Sequence, residues 1–523
     1  MNRLRRLSGG RAAQVPEKNN QVLEKNNKYG AYPKGGGMNR TAFWANAALS
    51  KMGTKLVALA VAVMVIVAAA AGFLALSVGP AEALPSYARQ TGQPCATCHT
   101  AFPELTPFGR RFKIGGYTAG GGGWQGPPIA AMYMPSFTHT QSPQDSPPAP
   151  GLHTNDNLVS QQVSGFVAGR LYDDIGSFIQ ITGNPVDGTV ALDASDVRWT
   201  KSLNLFGKGT IVGIDANNTP TVEDPWNTTP SFGWPQISST IAPAFAPPLT
   251  HVESGYGQIV GGAGAYLFWN DMVYADFTAY KGLSVSELYA FNEPSPSTTD
   301  ALTNVAPYWR VAVEPHWGDL FWEVGTFGMY GQIAPGRVYS YGTDNYLDVG
   351  FDSQIQYDGD PYSVTIKLTD IMERQRLNSS FAQGFSSNLN DTLNSFKANA
   401  SFVWDHTYSI GFGYFRVDGS SDCNMYGSPA APCMADGLGA FPNSYKASPL
   451  GDGLILDLAW LPFSHGAPSP PLPYSTMNVR LGLQFTSYLH LYGGTTNFDG
   501  SYLGGTHNAQ GNNTVFAYAW LAF

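Results

Sequence analysis

The sequence is poor in charge, since Asp, Glu, Lys and Arg together make up 13% of its 523 residues. Charged helix formers are therefore few, whereas 59 Gly and 37 Pro interrupt helices and favour turns. Aromatic residues, which favour strands, reach 13%. A mainly helical fold is disfavoured, and the lack of a repeat with a period of roughly 20 to 50 residues argues against a propeller or a solenoid.

Cysteine is scarce too, with four residues in two pairs. A zinc site would need a second C-x-x-C or a His pair at ligand spacing, and neither is present. Cys423 and Cys433 lie in the turn-rich segment SDCNMYGSPAAPCMADG and are predicted to form a disulfide. Cys95, Cys98 and His99 spell C-x-x-C-H, the attachment motif of a c-type haem, and no βαβ pattern surrounds them as in a thioredoxin-like redox pair.

A long apolar run occurs near the N-terminus, at residues 56–78, and follows Lys51 and Lys55. The A-x-A pattern that ends at Ala83 then predicts a secretory signal peptide in residues 1–83, cleaved after Ala83. A retained membrane anchor is the alternative, because the run is long enough to span a bilayer.

Positive charge becomes scarce once residues 1–83 are set aside, because 11 of the 29 Lys and Arg residues lie there. The remaining 18 basic side chains face 35 acidic ones, a formal net charge of −17. We therefore expect no nucleic-acid partner, and cations are the favoured partners.

Alternation with a period of two dominates after residue 128 and indicates strands with two different faces. In residues 362–368, for example, four apolar side chains alternate with three polar ones. One face suits lipid and the other suits water. Sixteen such strands are predicted to begin near residues 129, 158, 175, 191, 208, 258, 271, 308, 319, 343, 358, 394, 406, 451, 475 and 514.

The lengths of the connections distinguish a membrane barrel from a soluble β-sandwich, which would alternate in the same way. Short turns are predicted at every second connection, as at Asp173-Asp174, Asn270-Asp271 and Asp405-His406. Long loops are predicted between them, at residues 219–257, 282–307, 371–393 and 419–450. Short turns at one end and long loops at the other are typical of bacterial outer-membrane barrels.

The chain ends in VFAYAWLAF, and an aromatic C-terminal residue is usual in such barrels. Trp309, Trp317, Tyr518 and Trp520 are expected in aromatic girdles at the membrane interfaces. We therefore predict an all-β fold in the bacterial outer membrane: a transmembrane β-barrel of about 16 strands over residues 129–523.

Residues 84–128, which precede the first strand, are too few to enclose a haem alone. We predict that they form a short plug that carries one c-type haem, bound covalently to Cys95 and Cys98, with His99 as the proximal iron ligand. The barrel lumen would supply the remaining walls of the site.

The sixth ligand of the haem iron is left open by the sequence. The first strand, IAAMYMPSFTHT, places Met132 and Met134 on the face expected to point into the lumen, and a thioether ligand would raise the reduction potential. The two methionines could instead fill gaps against the haem. His139, which has the wrong parity, and His153 are alternatives, as is an open sixth position.

Three cations, Arg110, Arg111 and Lys113, lie close together in GRRFK. They are expected either to pair with haem or lumenal carboxylates, or to form a basic periplasmic edge of the plug.

Four features of the sequence are considered together: the C-x-x-C-H motif, the AFPELTPFGRRFKIGGYT that follows it, the predicted barrel and the segment ANNTPTVEDPWNTTPSFGWP at residues 216–235. Together they resemble the fused monohaem cytochrome–porins of iron-oxidising bacteria. The resemblance covers essentially the whole of residues 84–523 and implies that Cys95, Cys98 and His99 bear the haem. It implies an Fe(II)-oxidising oxidoreductase that takes electrons from extracellular Fe(II) and passes them to a periplasmic cytochrome c or copper protein.

Outer-sphere electron transfer of this kind requires no nucleophile or general base. Fe(II) would be attracted to acidic outer loops, where Asp215, Glu223 and Asp224 near Trp226 are candidates, because oxygen ligands suit a hard cation. Two other functions fit the same sequence: a transport porin with a structural or sensory haem, and outward electron transfer to extracellular acceptors.

Overall fold

The computed structural model describes residues 85–121, 126–243, 246–426, 447–465, 477–496, 498 and 507–523. The predicted signal region and Cys433 lie outside these described residues. Cys423 is disulfide-bonded, whereas Cys95 and Cys98 are buried thiols that are not in a disulfide.

The fold is built from antiparallel strands. Within the described ranges these are β1 Ile129–Thr140, β2 Asn157–Tyr172, β3 Ile175–Asn184, β4 Thr189–Leu205, β5 Lys208–Asn217, β6 Val260–Trp269, β7 Val273–Gly282, β8 Ala301–Leu302, β9 Ala306–Val313, β10 His316–Trp317, β11 Leu320–Ala334, β12 Asp344–Asp358, β13 Tyr362–Arg376, β14 Asn390–Trp404, β15 Tyr408–Gly419, β16 Gly451–Trp460, β17 Asn478–His490 and β18 Thr514–Ala522. They form one sheet that closes into a barrel, because β1 pairs with both β2 and β18. Two strands, β8 and β10, have two residues each, so the other sixteen make the wall.

Short helices accompany the barrel. Before β1 lie α1 Pro85–Thr91, α2 Cys95–Cys98 and α3 Pro107–Ile114, and the loops contain α4 Val285–Ala290 and α5 Asn378–Gln383. A π-helical turn spans His251–Gly255, and 3-10 turns span Pro335–Arg337, Tyr339–Tyr341 and Ala509–Asn512. Among the described residues, none of these helices has the length and apolar character needed to cross a membrane.

The predicted strand pattern is confirmed, since each of the sixteen wall strands begins within four residues of its expected start. One predicted loop was too long. The segment 371–393 was expected to be a connection, but β13 continues to Arg376 and β14 begins at Asn390. The extra residues of both strands are paired with each other, so hydrogen bonding between neighbours extends the wall beyond the apolar pattern.

The two faces of the wall have opposite character. On β13, the apolar Ile366 and Leu368 are exposed on the outside of the barrel, whereas Thr365 and Lys367 point inward and are buried. Lys367 is 4% exposed and Leu368 is 46% exposed. An apolar outside around a polar inside reverses the arrangement of a soluble protein and is that of a transmembrane barrel. The chain is therefore an outer-membrane β-barrel, as predicted.

Two of the four expected girdle aromatics point into the barrel instead. Tyr518 is 1% exposed, and its hydroxyl accepts a hydrogen bond from Arg480 at 2.9 Å and donates to Asp457 at 3.4 Å. Trp520 lies two residues further along β18 and packs against Phe102 of the segment that precedes the barrel. The girdle prediction was wrong for these two residues, because inside the barrel Tyr518 has polar partners and Trp520 packs against an aromatic ring.

Residues 85–121 lie inside the barrel and are called the plug below. The buried side chain of Arg110 on α3 forms an ion pair with Glu314 at 2.8 Å and donates to Gln356 at 2.5 Å. The hydroxyl of Tyr117 donates to Asp196 of β4 at 2.6 Å. These partners belong to different parts of the wall, so the plug is fixed across the lumen.

The reversed character of the wall predicts different costs for the same substitution at two leucines of similar exposure. Leu368→Arg places a cation on the outside of β13, whereas Leu389→Arg places one in the loop before β14, where Leu389 is 43% exposed. We expect Leu368→Arg to lower the free energy of unfolding in phospholipid vesicles by about 2–4 kcal/mol, the cost of a cation facing the bilayer core. Leu389→Arg should change it by less than about 0.5 kcal/mol. Equal losses in urea titrations of the two variants would contradict this placement of the bilayer.

Candidate functional site

The C-x-x-C-H motif forms one helical turn that is held closely by the following helix. Cys95–Cys98 is α2, and the backbone N–H of His99 donates to the carbonyl of Cys95 at 2.9 Å. Thr106 caps α3, accepting from the N–H of Gly109 at 3.1 Å and donating to the carbonyl of Thr97 at 2.6 Å. A Cβ atom at Gly109 would lie 2.2 Å from the carbonyl oxygen of Cys98, so a glycine is needed for this contact.

A mainly apolar cavity of about 320 Å³, part of which is open to solvent, lies between the plug and the barrel wall. Cys98 and His99 of the motif line it, as do Met132 and Met134 of β1. Its other apolar lining residues include Phe102, Leu105 and Phe112 of the plug and Phe166, Phe178, Phe232 and Trp520 of the barrel. The cavity lies within the ordinary size range of a small-ligand pocket and has the apolar lining of a cofactor site.

The side chain of His99 is in a state that can bind a metal. Burial lowers the pKa of His99 to about 4, so the imidazole is neutral near neutral pH. Its Nδ1 atom is buried and has no hydrogen-bond partner among the described residues. A neutral imidazole with an unused nitrogen is the form in which histidine ligates iron.

The two motif cysteines have different surroundings. Burial raises the pKa of Cys98 to about 12, so its thiol is protonated. Cys95 is 1% exposed, is not among the residues that line the cavity, and its Sγ accepts a hydrogen bond from Asn478 at 3.3 Å. The two cysteines nevertheless lie three residues apart on the single turn of α2.

Both methionines of β1 point into the lumen, as predicted from their parity. Met134 is fully buried and Met132 is 4% exposed. The Sδ atom of Met134 is 3.9 Å from the Nε2 atom of Gln161, which donates a weak hydrogen bond to it. Of the alternative ligands, His139 pairs with Asp156 at 2.6 Å and His153 is exposed, and neither lines the cavity.

The cavity lies at the end of the barrel that has the short turns. Met132 is near the start of β1 and pairs with Ala522 near the end of β18. The carbonyl oxygens of His99 and Thr100 are each 3.0 Å from Nδ1 of His406, which is in the tight turn between β14 and β15. In outer-membrane barrels the short turns face the periplasm. The motif is therefore at the periplasmic end.

The three cations of GRRFK have separate roles. Arg110 pairs with the lumenal Glu314, and Arg111 pairs with Asp271 at the edge of the barrel. Lys113 is buried, donates to the backbone oxygen of Asp224 at 2.7 Å and lines the cavity. Lys113 is consequently the cation placed to meet an acidic group of a cavity ligand.

The acidic residues expected on an outer loop are inside the barrel. Asp215 is on β5, Glu223 and Asp224 are in the connection 218–259, and all three are at most 1% exposed. Trp226 beside them is also buried, and its Nε1 donates to Glu314 at 2.5 Å. The expectation of an exposed acidic surface was wrong, because the connection folds into the lumen, where its polar groups find partners.

Arg310 holds this inward-folded connection, which is called the inserted loop below. Its guanidinium pairs with Asp224 of the inserted loop at 3.2 Å and with Glu323 and Asp352 of the wall at 3.0 and 2.5 Å. All four side chains are fully buried. The plug and the inserted loop therefore share the lumen.

Sequence reasoning missed several cavity residues that come from distant strands. Phe166 of β2 and Phe178 of β3 point inward, with ring centroids 5.8 Å apart, and Trp520 meets them from the end of the chain. The parity of Phe166 and Phe178 along their strands was the available signal. No local pattern shows that they face the same cavity.

The chain was compared with protein families, curated proteins and solved structures. No family model matches the chain, and no curated protein matches it. Solved structures similar to it include the outer-membrane channel DcaP of Acinetobacter baumannii, with 10% identity, 76% of this chain and 96% of that one covered, and a TM-score of 0.39. They also include OmpF of Salmonella typhi in complex with daunomycin, with 8% identity, coverages of 76% and 97%, and a TM-score of 0.40. OmpT of Vibrio cholerae matches with 8% identity, coverages of 76% and 96%, and a TM-score of 0.37.

The Arg310 network predicts a large loss of stability when its cation is removed. Arg310→Met leaves three buried carboxylates without their shared partner, and we expect the free energy of unfolding to fall by about 3–5 kcal/mol. Arg416→Met is the matched control, because Arg416 pairs with Asp418 at 2.8 Å but both side chains are at least 40% exposed. The control should cost less than about 1 kcal/mol. Similar urea midpoints for the two variants would show that the inserted loop does not depend on Arg310.

Proposed function

We propose that this chain is an outer-membrane c-type cytochrome barrel that takes electrons from extracellular Fe(II) and passes them through one covalently bound haem to periplasmic electron carriers. The observation that carries the proposal is the cavity in which Cys98 and His99 of the plug face Met132 and Met134 of the wall. A C-x-x-C-H motif exposed at the surface would have no walls for a haem, whereas this one opens onto an apolar enclosure.

The residues present fit a c-type haem. Cys95 and Cys98 supply two thiols on one helical turn, and the neutral His99 has a buried ring nitrogen without a hydrogen-bond partner among the described residues. Phe102, Phe112 and the other apolar lining residues suit the faces of a porphyrin, and Lys113 suits its carboxylates. When bound, the haem would supply a one-electron redox centre.

The protein side chains set the conditions of electron transfer around such a centre. Burial keeps His99 neutral, and Phe, Met and Trp side chains make most of the cavity wall apolar. An apolar site and a methionine ligand both favour the reduced state of a haem iron, so they raise its reduction potential. A high potential suits a weak reductant such as Fe(II).

The position of the site supports the proposed direction. The C-x-x-C-H motif is held by the turn between β14 and β15 at the periplasmic end, through the contact of His406 with the carbonyls of His99 and Thr100. A soluble periplasmic cytochrome c or copper protein would meet the barrel at this end. The ferric product would remain on the other side of the membrane.

The filled lumen argues against the alternative of a transport porin. The plug is fixed to the wall through Arg110 and Tyr117, and the inserted loop is fixed through Arg310. A solute that passed through the barrel would have to displace these buried contacts.

Haem attachment is expected to depend on one pair of cysteines. Cys95→Ser with Cys98→Ser should abolish covalent haem, seen as loss of peroxidase staining after denaturing electrophoresis, because serine forms no thioether. Cys423→Ser with Cys433→Ser is the matched control and should retain the haem. Addition of Fe(II) to the oxidised control and wild-type proteins should produce the absorption spectrum of reduced haem.

A wild-type protein that carries haem but is not reduced by Fe(II) would contradict the electron-transfer proposal. Large ion conductance of the same protein in planar bilayers would then favour the transport alternative.

The methionines of β1 are expected to set the reduction potential. Replacement of the ligating methionine by alanine should change the absorption spectrum and lower the midpoint potential, because a thioether ligand raises it. Met132→Ala and Met134→Ala are to be compared with Met329→Ala, which empties an equally buried position elsewhere in the lumen. If the single and double variants of Met132 and Met134 all keep the wild-type spectrum and potential, neither residue is the sixth ligand.

A further inference from the structure

Four carboxylates meet inside the barrel next to the cavity. Asp196 is on β4, Asp215 on β5, Asp276 on β7, and Glu223 is in the inserted loop. None is more than 4% exposed. Buried carboxylates are costly unless a partner compensates them, so each requires an explanation. These four residues are called the lumenal carboxylate cluster below.

The strand register brings the carboxylates of β5 and β7 together across β6. Asp215 pairs with Gly264, and Gly264 pairs with Thr278, whose hydroxyl donates to Asp276 at 3.2 Å. A Cβ atom at position 264 would lie 2.7 Å from Oδ1 of Asp215 and 2.0 Å from Oγ1 of Thr278. The missing side chain of Gly264 therefore leaves the space in which the Asp215 carboxylate approaches the hydroxyl of Thr278, which donates to Asp276.

The hydrogen bonds and ion pair of the cluster leave many oxygens unused. Arg198 pairs with Oδ2 of Asp196 at 2.8 Å, and Asn217 donates to Oδ2 of Asp215 at 2.8 Å. The other oxygens of Asp196 and Asp215, Oδ2 of Asp276 and both carboxylate oxygens of Glu223 have no partner in the described part of the chain. The guanidinium of Arg198 and the nearby ammonium of Lys113 thus face four carboxylates.

Glu223 is an independent indication of a ligand, because it comes from the inserted loop and not from the wall. Its side chain is fully buried and both of its oxygens are unpartnered. Its backbone oxygen accepts a hydrogen bond from Arg198 at 3.0 Å, which fixes it beside the partner of Asp196. The loop therefore delivers a carboxylate to a place that already has an excess of them.

The charge of the lumen favours a cation at this place. Among the described residues, sixteen Asp and Glu side chains are buried, against six Lys and Arg. Low-dielectric walls strengthen the field of such an excess and concentrate cations inside. An all-oxygen set of this kind suits a hard or borderline divalent metal ion.

We propose that Asp196, Asp215, Glu223 and Asp276 form a binding site for a hydrated divalent cation inside the barrel. Within the described ranges, no three Asp, Glu, His or Cys side chains are arranged to ligate one ion directly. Retained water molecules therefore connect the ion to the carboxylates, as small divalent cations commonly keep part of their hydration shell.

The site adjoins the cavity, which gives the cation a place in the proposed function. Tyr117 lines the cavity and donates to Asp196 of the cluster at 2.6 Å, so one side chain separates the two. The identification of the cation as Fe(II), the electron donor, rests on the proposed function, whereas divalent cation binding itself does not. Asp224, which is saturated by Arg310 and by the N–H groups of Thr228 and Thr229, takes no part.

The experiment measures binding of Mn²⁺, a probe that the proposed electron transfer does not consume. The purified protein in detergent is titrated with Mn²⁺, and the free ion is followed by electron paramagnetic resonance. Wild-type protein should bind one equivalent, and Glu223→Gln and Asp276→Asn should each weaken binding at least tenfold. Asp348→Asn is the matched control, because Asp348 is a buried lumenal carboxylate of β12 with one unpartnered oxygen.

The outcomes separate this site from general attraction to an acidic lumen. The proposal would be overturned if the wild-type protein did not bind Mn²⁺. It would also be overturned if Asp348→Asn weakened Mn²⁺ binding as strongly as Asp276→Asn does. Heat-modifiable migration of each variant on electrophoresis checks that it is folded, and Glu223→Gln keeps the shape of the side chain. If the protein binds Mn²⁺ specifically but Fe(II) does not reduce its haem, the cation site is retained and the proposed function is rejected.

Discussion

The polar lumen is the constraint on which the rest of this structure depends. A wall that presents apolar side chains to lipid must point its polar side chains inward, and a charged side chain is stable there beside a partner. Arg310 finds its partners in Glu323 and Asp352 of the wall and in Asp224 of the inserted loop. The same requirement that stabilises the wall therefore draws the inserted loop into the barrel.

The plug obeys the same constraint and creates the cavity. Arg110 and Tyr117 meet the carboxylates of Glu314 and Asp196, which fixes the plug across the lumen. On the side where the plug presents Phe102 and Phe112, the wall presents mainly aromatic and methionine side chains. An apolar enclosure within a polar lumen suits a large flat cofactor better than a passing solute, and it is the basis of the proposed redox function.

Strands were easier to predict than loops, for a physical reason. A wall strand has one face in lipid and one in the lumen, so its pattern of two persists in the sequence, and Met132 and Met134 were correctly placed inside. The loop boundaries at 371–393 were wrong because β13 and β14 remain paired beyond their apolar residues. Tyr518 was wrongly placed in a girdle because its partner Arg480 is on another strand.

By itself, the sequence determined the number of strands, the inward face of many of them and the spacing of the C-x-x-C-H motif, because each depends on residues two or three positions apart. The tertiary structure alone decided what fills the barrel. Asp215, Glu223 and Asp276 come from three segments, and an acidic loop that looked exposed is buried. Closure of the sheet and the need to pair buried charges bring these segments together, and neither leaves a local pattern in the sequence.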